Sequence, residues 1–194
     1  MRKQAQGSAR YVALSGGVGG AKLSLGLAHL LGEQLAVIVN TGDDFEHLGL
    51  HISPDVDTAM YTLAGLVNPE TGWGRSNETW TFMAALKAMG GPGWFNLGDG
   101  DLAMHVERTR RLRAGEPLSA ICEDVRARLG IVSSILPMSD DPVRTVVDTD
   151  QGTLEFQQYF VREQCRPKVA AIRFEGAQTA RPLPALRQAL QQPG

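Results

Sequence analysis

The spacing of apolar and polar positions near the start of the chain predicts a parallel α/β sheet. Residues 11–14 form a short apolar run that ends in glycines, which is typical of a buried strand entering a tight turn. Residues 21–31 carry leucines at helical spacing, and residues 35–39 form a second apolar, β-branched run. Two strands joined by a helix predict a βαβ unit with parallel pairing and a right-handed crossover.

The pattern changes after the second predicted strand. Residues 41–57 are rich in Gly, Asp and Pro, so we expect a long loop at the carboxyl edge of the sheet. Asn77 and Asp99 or Asp101 are candidate helix caps. The following region is a predicted cluster of helices at residues 58–67, 78–89, about 99–113 and 118–129.

The last third of the chain has β-strand character. Residues 143–148 and 153–159 alternate between apolar and polar, which predicts a β-hairpin, and residues 168–174 are a further strand candidate. The whole pattern predicts a Rossmann-like three-layer α/β/α core with a parallel sheet, a helical insertion and a β-hairpin. We expect a single domain, 1–194, divided into a βαβ phosphate-binding start (1–57), a helical insertion (58–130) and a hairpin with return to the sheet (131–175).

Composition narrows the class of protein. The chain has 194 residues, 43% of them hydrophobic, and 19 Lys and Arg against 21 Asp and Glu give a net charge of −2. Without a basic face, nucleic-acid binding is not expected. No apolar stretch is long enough for a membrane span, and residues 1–10 do not resemble a signal peptide. Cys122 and Cys165 lie far apart in sequence, so we expect reduced thiols in a cytoplasmic protein.

The glycine-rich turn after the first predicted strand is a candidate phosphate site. Gly16, Gly17, Gly19 and Gly20 allow close backbone approach, and the next helix directs free N–H groups at a ligand. Lys22 could add a positive charge, yet it stands where the dinucleotide fingerprint needs its third glycine. The alternative is a tight strand-to-helix turn without a ligand.

Aspartates follow the second strand and precede the next helix. Asp43, Asp44, Asp55 and Asp57 beside a phosphate-binding turn would repel a polyphosphate unless a cation lay between them. Mg²⁺ suits that position because it binds carboxylates together with phosphate oxygens. The alternative interpretation is a set of Asx-turns and helix caps, with Asp57 capping a helix that starts at Thr58.

Histidines and aromatic residues give weaker signals. His47 and His51 are four positions apart, but Gly49 lies between them in loop-like sequence, so a zinc site is not expected. The central aromatic residues are either core or an apolar wall for a flat ring: Trp73, Trp80, Trp94 and Phe95.

Several motifs together resemble the 2-phospho-L-lactate transferases (CofD/FbiA) of coenzyme F420 biosynthesis. They occur in the family's order and cover most of the chain. The motifs are the glycine turn at residues 14–23, Val39-Asn40-Thr41-Gly42-Asp43-Asp44, residues 53–58, Gly72-Trp73-Gly74 with Glu78-Thr79-Trp80, and Ile135-Leu136-Pro137-Met138-Ser139-Asp140-Asp141.

The resemblance implies transfer of a phospholactyl-type group from a GDP-linked donor to the deazaflavin Fo. The terminal ribityl hydroxyl of Fo attacks the donor phosphorus, GMP leaves, and Mg²⁺ assists; related enzymes transfer phosphoenolpyruvyl or phosphoglyceryl groups instead. The resemblance also implies a homodimer.

Site residues follow from the same resemblance. Asp57 and Asn96 would contact Fo, and Asp43, Asp44 and Asp57 would bind the metal and the acceptor hydroxyl as catalytic residues. The remaining substrate-binding candidates are Gly16, Gly17, Gly19, Gly20, Lys22, Thr58 and Trp73.

The chain departs from the family's pattern in two ways. Gly100 stands where the family usually carries arginine. Family members also continue further at the carboxyl end with a Ser-Asn-Pro motif expected to bind nucleotide, so we expect that part of the fold to be absent from these 194 residues.

Two other functional hypotheses come from different classes of protein. The first is a non-catalytic nucleotide-sugar-binding protein of the same superfamily, or an inactive copy of the transferase. The second, a nicotinamide-dependent oxidoreductase, is weaker because Lys22 breaks the dinucleotide fingerprint.

Overall fold

The computed structural model describes residues 11–191, so the polar segment 1–10 lies outside the described residues. The strands are β1 (Tyr11–Ser15), β2 (Leu35–Val39), β3 (Phe45–His47), β4 (Leu50–Ile52), β5 (Ser134–Pro137), β6 (Arg144–Thr149), β7 (Gly152–Glu155) and β8 (Val169–Glu175). The helices are α1 (Gly17–Leu31), α2 (Pro54–Leu63), α3 (Thr81–Ala88), α4 (Asp99–Arg113), α5 (Leu118–Arg128) and α6 (Pro184–Gln191).

The predicted βαβ unit is confirmed. β1 and β2 pair in parallel from Tyr11 opposite Leu35 to Ser15 opposite Val39, with α1 as the crossover. β5 pairs in parallel with the other side of β2, so the strand order is β1-β2-β5. This arrangement places the glycine turn and the residues after β2 at one edge of the sheet.

Helices cover both faces of the parallel sheet, as a three-layer core requires. Ala13, Val37 and Ile135 point to one face and pack with α2 and α5, and part of α1 packs against the same cluster. On the opposite face, Ile38 packs with Leu186 of α6. β2 is fully buried because it lies between two strands and two helical layers.

The predicted loop at residues 41–57 is wrong in part, because it contains a hairpin and the start of a helix. β3 and β4 pair antiparallel around a two-residue turn, in which Leu48 and Gly49 both have positive φ. Phe45 and Ile52 face each other on the buried side of that hairpin, which explains why so polar a segment folds. α2 then begins at Pro54, a residue favoured in the first helical turn.

The predicted β-hairpin is present as β6 and β7, and β8 adds to the outer side of β6 in a separate antiparallel sheet. The second strand is shorter than predicted, because a π-helical turn, Gln158–Arg162, follows shortly after β7 and stacks Phe156 on Phe160. The strand that returns to the parallel sheet is β5. Within residues 11–191, no helix is long and apolar enough to cross a membrane.

Candidate functional site

A cleft of about 960 Å³ opens at the carboxyl ends of β1 and β2. Ligands of open α/β sheets bind at this edge because loops there leave backbone and side-chain groups unpaired. Many predicted site residues line the cleft: Gly16, Gly17, Asp43, Asp57, Thr58, Trp73 and Asn96. Four others are not among the lining residues: Asp44, Gly19, Gly20 and Lys22.

The glycine turn has its anion-binding position filled by a carboxylate of the protein. Gly17 adopts a φ of 61°, and its N–H donates to Asp55 Oδ1 at 2.9 Å. Asp55 therefore caps the start of α1, where a negative charge is favourable. A ligand phosphate that used this N–H would have to displace Asp55.

The remaining predicted ligands of the turn have other surroundings. A Cβ on Gly20 would lie 2.7 Å from Ser15 Oγ and 3.0 Å from Ser15 Cα, so this glycine lets α1 lie against the end of β1. Gly19 has open space around it. Lys22 is exposed, and its side chain lies against the loop at Gly72.

Asp43 and Asp55 are held together by a single neutral amide. Asn40 Nδ2 donates to Asp43 Oδ2 at 3.1 Å and to Asp55 Oδ2 at 2.9 Å. Asn40 is itself fixed because its Oδ1 accepts from the Gly42 N–H at 2.9 Å. Burial, together with the nearby carboxylates of Asp55 and Asp44, raises the pKa of Asp43. Within residues 11–191, the pair is thus a concentration of negative charge without a cationic side chain among its hydrogen-bond partners.

Asp44, the neighbour of Asp43, points away from the cleft. Its carboxylate is buried, and Oδ2 accepts from Ser53 Oγ at 2.8 Å and lies 3.1 Å from His51 Nε2. Burial raises the pKa of Asp44, against the opposing effect of His51 and Ser53. The structure therefore gives Asp44 a place beneath the β3–β4 hairpin instead of the predicted place beside the metal.

Asp57 lies in the first turn of α2 and is paired with Arg108 of α4. Arg108 NH1 donates to Asp57 Oδ2 at 3.1 Å, and NH2 donates to Oδ1. Both side chains are buried, and opposite charge raises the pKa of Arg108 in spite of the desolvation that would lower it. α2 begins at Pro54 and Asp57 makes no side-chain cap there, so the predicted capping role is wrong for Asp57.

A second carboxylate completes this buried cluster. The Tyr61 hydroxyl donates to Asp101 Oδ1 at 2.7 Å, and His105 Nε2 lies 3.2 Å from Asp101 Oδ2. His105 Nδ1 faces Asp57 Oδ2 at 3.7 Å. Burial alone would raise the pKa of Asp101, but His105, Tyr61 and Arg108 outweigh it and lower that pKa.

Asp57, Asp101 and His105 offer ligand atoms within 4.8 Å of one another, and they form the only group of three or more such residues within the described ranges. The predicted metal ligands Asp43, Asp44 and Asp57 do not form one. The reason is that Asp43 and Asp44 are consecutive and point in different directions, while Asp57 is turned towards Arg108.

Arg108, His105 and Tyr61 are site residues that the sequence-based prediction missed. Asp101, His105 and Arg108 recur at i, i+4 and i+7 on α4, which puts three polar side chains on one helix face. Two of them, His105 and Arg108, are buried. This spacing was the sequence signal that could have identified Asp101, His105 and Arg108 as neighbours on one face of α4.

Aromatic side chains form an apolar part of the cleft lining. Trp73 and Trp80 line it and are 58% and 52% exposed. Phe156 and Phe160 also line it, stacked with ring centroids 5.6 Å apart and planes at 7°. Trp94 and Phe95 pack on Phe45 in the core and also border the cleft. Both interpretations of the tryptophans are therefore represented, core at Trp94 and exposed wall at Trp73 and Trp80.

The starts of α3 and α4 cap each other across the cleft rim. Asp99 accepts from the Thr81 and Phe82 N–H groups of α3, both at 3.0 Å, and its pKa is lowered to about 2, chiefly by the Thr79 hydroxyl. Glu78 accepts from Gly100 N–H at 2.6 Å and from Asp101 N–H at 2.8 Å. The predicted cap Asn77 is wrong, because a residue of the next helix performs that role.

Glu78 also occupies the space beside Gly100, where the family pattern has arginine. A Cβ at position 100 would lie 2.9 Å from Glu78 Oε1. An arginine there would therefore require Glu78 to shift.

The fold and the cleft define an α/β protein with a phosphate-type turn, a carboxylate pair and an aromatic wall at one sheet edge. The family model of 2-phospho-L-lactate transferase CofD matches residues 11–193. The chain belongs to that family.

Curated relatives agree with this assignment, and a solved structure agrees with the fold. A phosphoenolpyruvate transferase of Streptomyces griseus is 45% identical over 187 residues, covering 93% of this chain and 59% of the relative. A 2-phospho-L-lactate transferase of Methanopyrus kandleri is 44% identical over 176 residues, covering 90% of this chain and 56% of the relative. The crystal structure of a UPF0052-family protein from Bacillus halodurans has a TM-score of 0.57 at 15% sequence identity, covering 94% of this chain and 56% of that protein. At this identity it supports the fold alone. The chain thus spans less than three fifths of the length of these proteins.

Proposed function

We propose that this chain carries the acceptor and metal-binding part of a transferase in coenzyme F420 biosynthesis. The reaction moves a three-carbon phosphoacid group from a GDP-linked donor to the deazaflavin Fo and releases GMP. The observation that carries the proposal is that one cleft contains the glycine turn, a carboxylate pair and a wall of flat aromatic rings. A phosphate and a tricyclic ring could therefore be held side by side.

Mg²⁺ fits the cleft at Asp43 and Asp55. Both line the cleft and both are held on Asn40. In the part of the chain that the structure describes, neither accepts a hydrogen bond from a cationic side chain. Two carboxylates beside a phosphate position are the ligand type that Mg²⁺ takes, and the ion would neutralise charge on the transferring group. We propose this pair in place of the predicted set Asp43, Asp44 and Asp57.

Asp57 is proposed to orient the acceptor hydroxyl. Its carboxylate is held by Arg108, and it borders the cleft next to Thr58. In the reaction, the Fo hydroxyl oxygen forms a bond to the donor phosphorus, the bond from phosphorus to the GMP oxygen breaks, and the hydroxyl proton leaves to a carboxylate or to water. Such a transfer needs in-line positioning and charge neutralisation more than covalent catalysis.

Two relatives of this chain are named for different three-carbon acids, so either acid is a candidate for the transferred group. The Streptomyces griseus protein is named for phosphoenolpyruvate and the Methanopyrus kandleri protein for 2-phospho-L-lactate, at almost equal identity to this chain. A direct comparison of both donors in the same assay distinguishes them.

Fo binding to this chain tests the proposal, followed through deazaflavin fluorescence with and without Mg²⁺ and GDP. We expect saturable binding that weakens in Trp73→Ala, because an exposed ring of the wall is lost. Met89→Ala is the matched control, since Met89 is 78% exposed and does not line the cleft. Binding of a UDP-sugar without any binding of Fo would favour the nucleotide-sugar-binding alternative.

A further inference from the structure

The segment that follows β7 brings four residues into the cleft. Phe156, Gln157, Phe160 and Val161 all line it, and only one of the four is polar. They lie in or beside the π-helical turn Gln158–Arg162, a rare geometry that is frequent at functional sites. The transfer chemistry proposed above gives no role to this turn.

Gln157 is the polar member of this group, and its side chain is left over in the turn. The residue is only 8% exposed. Among residues 11–191, no hydrogen bond joins the Gln157 amide to another group, whereas the adjacent Gln158 accepts from the Glu155 N–H at 3.4 Å. A buried amide without a partner costs stability, and binding a ligand is a reason to keep one. Its amide is not sealed inside the protein, because Gln157 keeps some accessible surface and lines the cleft.

The phenylalanine pair gives this amide a flat neighbour. Phe156 and Phe160 stack with ring centroids 5.6 Å apart and planes at 7°. Phe160 is 55% exposed even though Phe156 covers one of its faces, so much of its ring stays accessible at the cleft. Aromatic faces of this kind bind other flat rings by stacking. The turn therefore combines a flat apolar surface with one amide that is free to form hydrogen bonds.

We propose that Gln157, Phe156 and Phe160 form a subsite for a flat heterocyclic ring with a lactam edge, which is a ring N–H beside a ring C=O. The Gln157 carbonyl accepts from the ring N–H, and its NH₂ group donates to the ring carbonyl. The plane of the ring lies against the phenylalanine pair. A site that pairs with both groups of this edge rejects a ring that lacks one of them, because the amide would then stay unpaired.

Three ligands of the functions considered above have this edge. The deazaflavin Fo has it in its pyrimidinedione ring, a GDP-linked donor has it in guanine, and a UDP-sugar has it in uracil. The deazaflavin and guanine cases rest on the proposed transferase function, whereas the subsite itself does not. Because the recognised chemistry is the same in all three, the source of the ring is decided by comparing their binding.

The test measures equilibrium binding of Fo, GDP and UDP to the wild-type chain and to Gln157→Leu. Leucine is similar in size but cannot form hydrogen bonds, so we expect the affinity for the ligand of this subsite to fall by about tenfold. Phe160→Leu should weaken binding of the same ligand, because the stacking surface is lost. Gln188→Leu is the matched control, since Gln188 is exposed on α6 and does not line the cleft. Circular dichroism of each variant checks the fold.

A change in the ligand tests the same contact without changing the protein. A methyl group on the ring nitrogen of the lactam edge removes the N–H donor. The methylated ligand should therefore bind the wild-type chain about tenfold more weakly than its parent. Gln157→Leu should no longer distinguish the two, because it has no amide to pair with that edge.

The outcomes separate the subsite from the proposed function. Loss of affinity for Fo or GDP in Gln157→Leu would support the subsite and identify its ligand. Loss of affinity for UDP, in a chain that binds neither Fo nor GDP, would support the subsite and contradict the transferase. Equal affinities of the wild type and Gln157→Leu for Fo and GDP, with equal binding of the methylated ligands, would overturn the subsite and leave the transferase unaffected. A wild-type chain that binds none of the three ligands would also overturn the subsite.

Discussion

The two ends of the cleft hold their carboxylates in opposite ways. At the end near β1, Asp43 and Asp55 share one neutral amide of Asn40. At the other end, Asp57 is paired with the buried Arg108, and Asp101 lies against His105. Among the described residues, the first pair has no cationic side chain as a hydrogen-bond partner, so a cation could neutralise it, while the second holds its charge in a fixed network. This difference is the reason why we propose metal binding at one end and acceptor positioning at the other.

Breaking the compensated end should have the largest effect. Arg108→Met leaves Asp57 as a buried charge without its partner, and we expect a loss of about 3–5 kcal/mol in the free energy of unfolding. Urea denaturation measures it. Arg110→Met on the same helix is the matched control, because Arg110 pairs with Glu107 on the surface and its loss should change stability little. Equal losses in both variants would contradict a special role for the buried pair.

Asp57→Asn should therefore affect stability as well as turnover. Arg108 would remain buried without its anion, so both the melting temperature and the rate of transfer should fall. Turnover should drop by ~10² or more beyond what the folded fraction explains, which is the scale for losing one preorganised electrostatic contact. A fall in activity that only follows the fraction unfolded would make Asp57 a structural residue.

The glycine turn gives a smaller, local test at the end of the cleft near β1. Gly20→Ala places a Cβ against Ser15 and should cost about 1–3 kcal/mol of stability, as overpacking does. Gly19→Ala meets open space within α1 and should be neutral or slightly stabilising. Thermal unfolding of both variants is the measurement. The same cost at both positions would indicate that backbone freedom, and not the contact with Ser15, makes Gly20 necessary.

The smallest effect is expected in the pH dependence of the free energy of unfolding, and it concerns Asp43 at the end of the cleft near β1. The pKa of Asp43 is raised in the folded state, so ionising it costs stability as pH rises through that pKa. Without Mg²⁺, the wild type should gain stability relative to Asp43→Asn as pH falls from neutral towards 3.8, the ordinary pKa of aspartate. Unfolding curves of both proteins across that window measure the difference. A wild-type loss relative to the variant would contradict the raised pKa.

The sequence predicted which residues lie at the carboxyl edge of the sheet, but it did not predict which side chains contact each other there. Asp43 and Asp57 were recognised because they follow strands or begin a helix, where polar residues gather in α/β proteins. Asp55 was assigned no role of its own, although its contact with Gly17 spans 38 positions and decides how the turn is closed. Such contacts depend on how α2 docks on α1, which periodicity does not encode.

Burial of polar residues was the other missing information. Asp43 and Asp44 are adjacent and chemically identical, yet one borders the cleft and the other is buried beneath the hairpin. The hairpin itself escaped prediction because its strands are only three residues long and carry polar residues between Phe45 and Ile52. Arg108 was hidden among other arginines of α4 that are exposed or partly exposed, Arg110, Arg111 and Arg113.

The most direct test of the account is calorimetric titration of Mg²⁺ into the wild-type chain, Asp43→Asn, Asp55→Asn and Glu33→Gln. Glu33 is exposed and does not line the cleft, so its variant is the control for loss of one carboxylate. The account predicts one site in the wild type and in Glu33→Gln, and loss of that site in both aspartate variants. Mg²⁺ binding that survives both aspartate variants would contradict the assignment of the metal to the uncompensated end of the cleft.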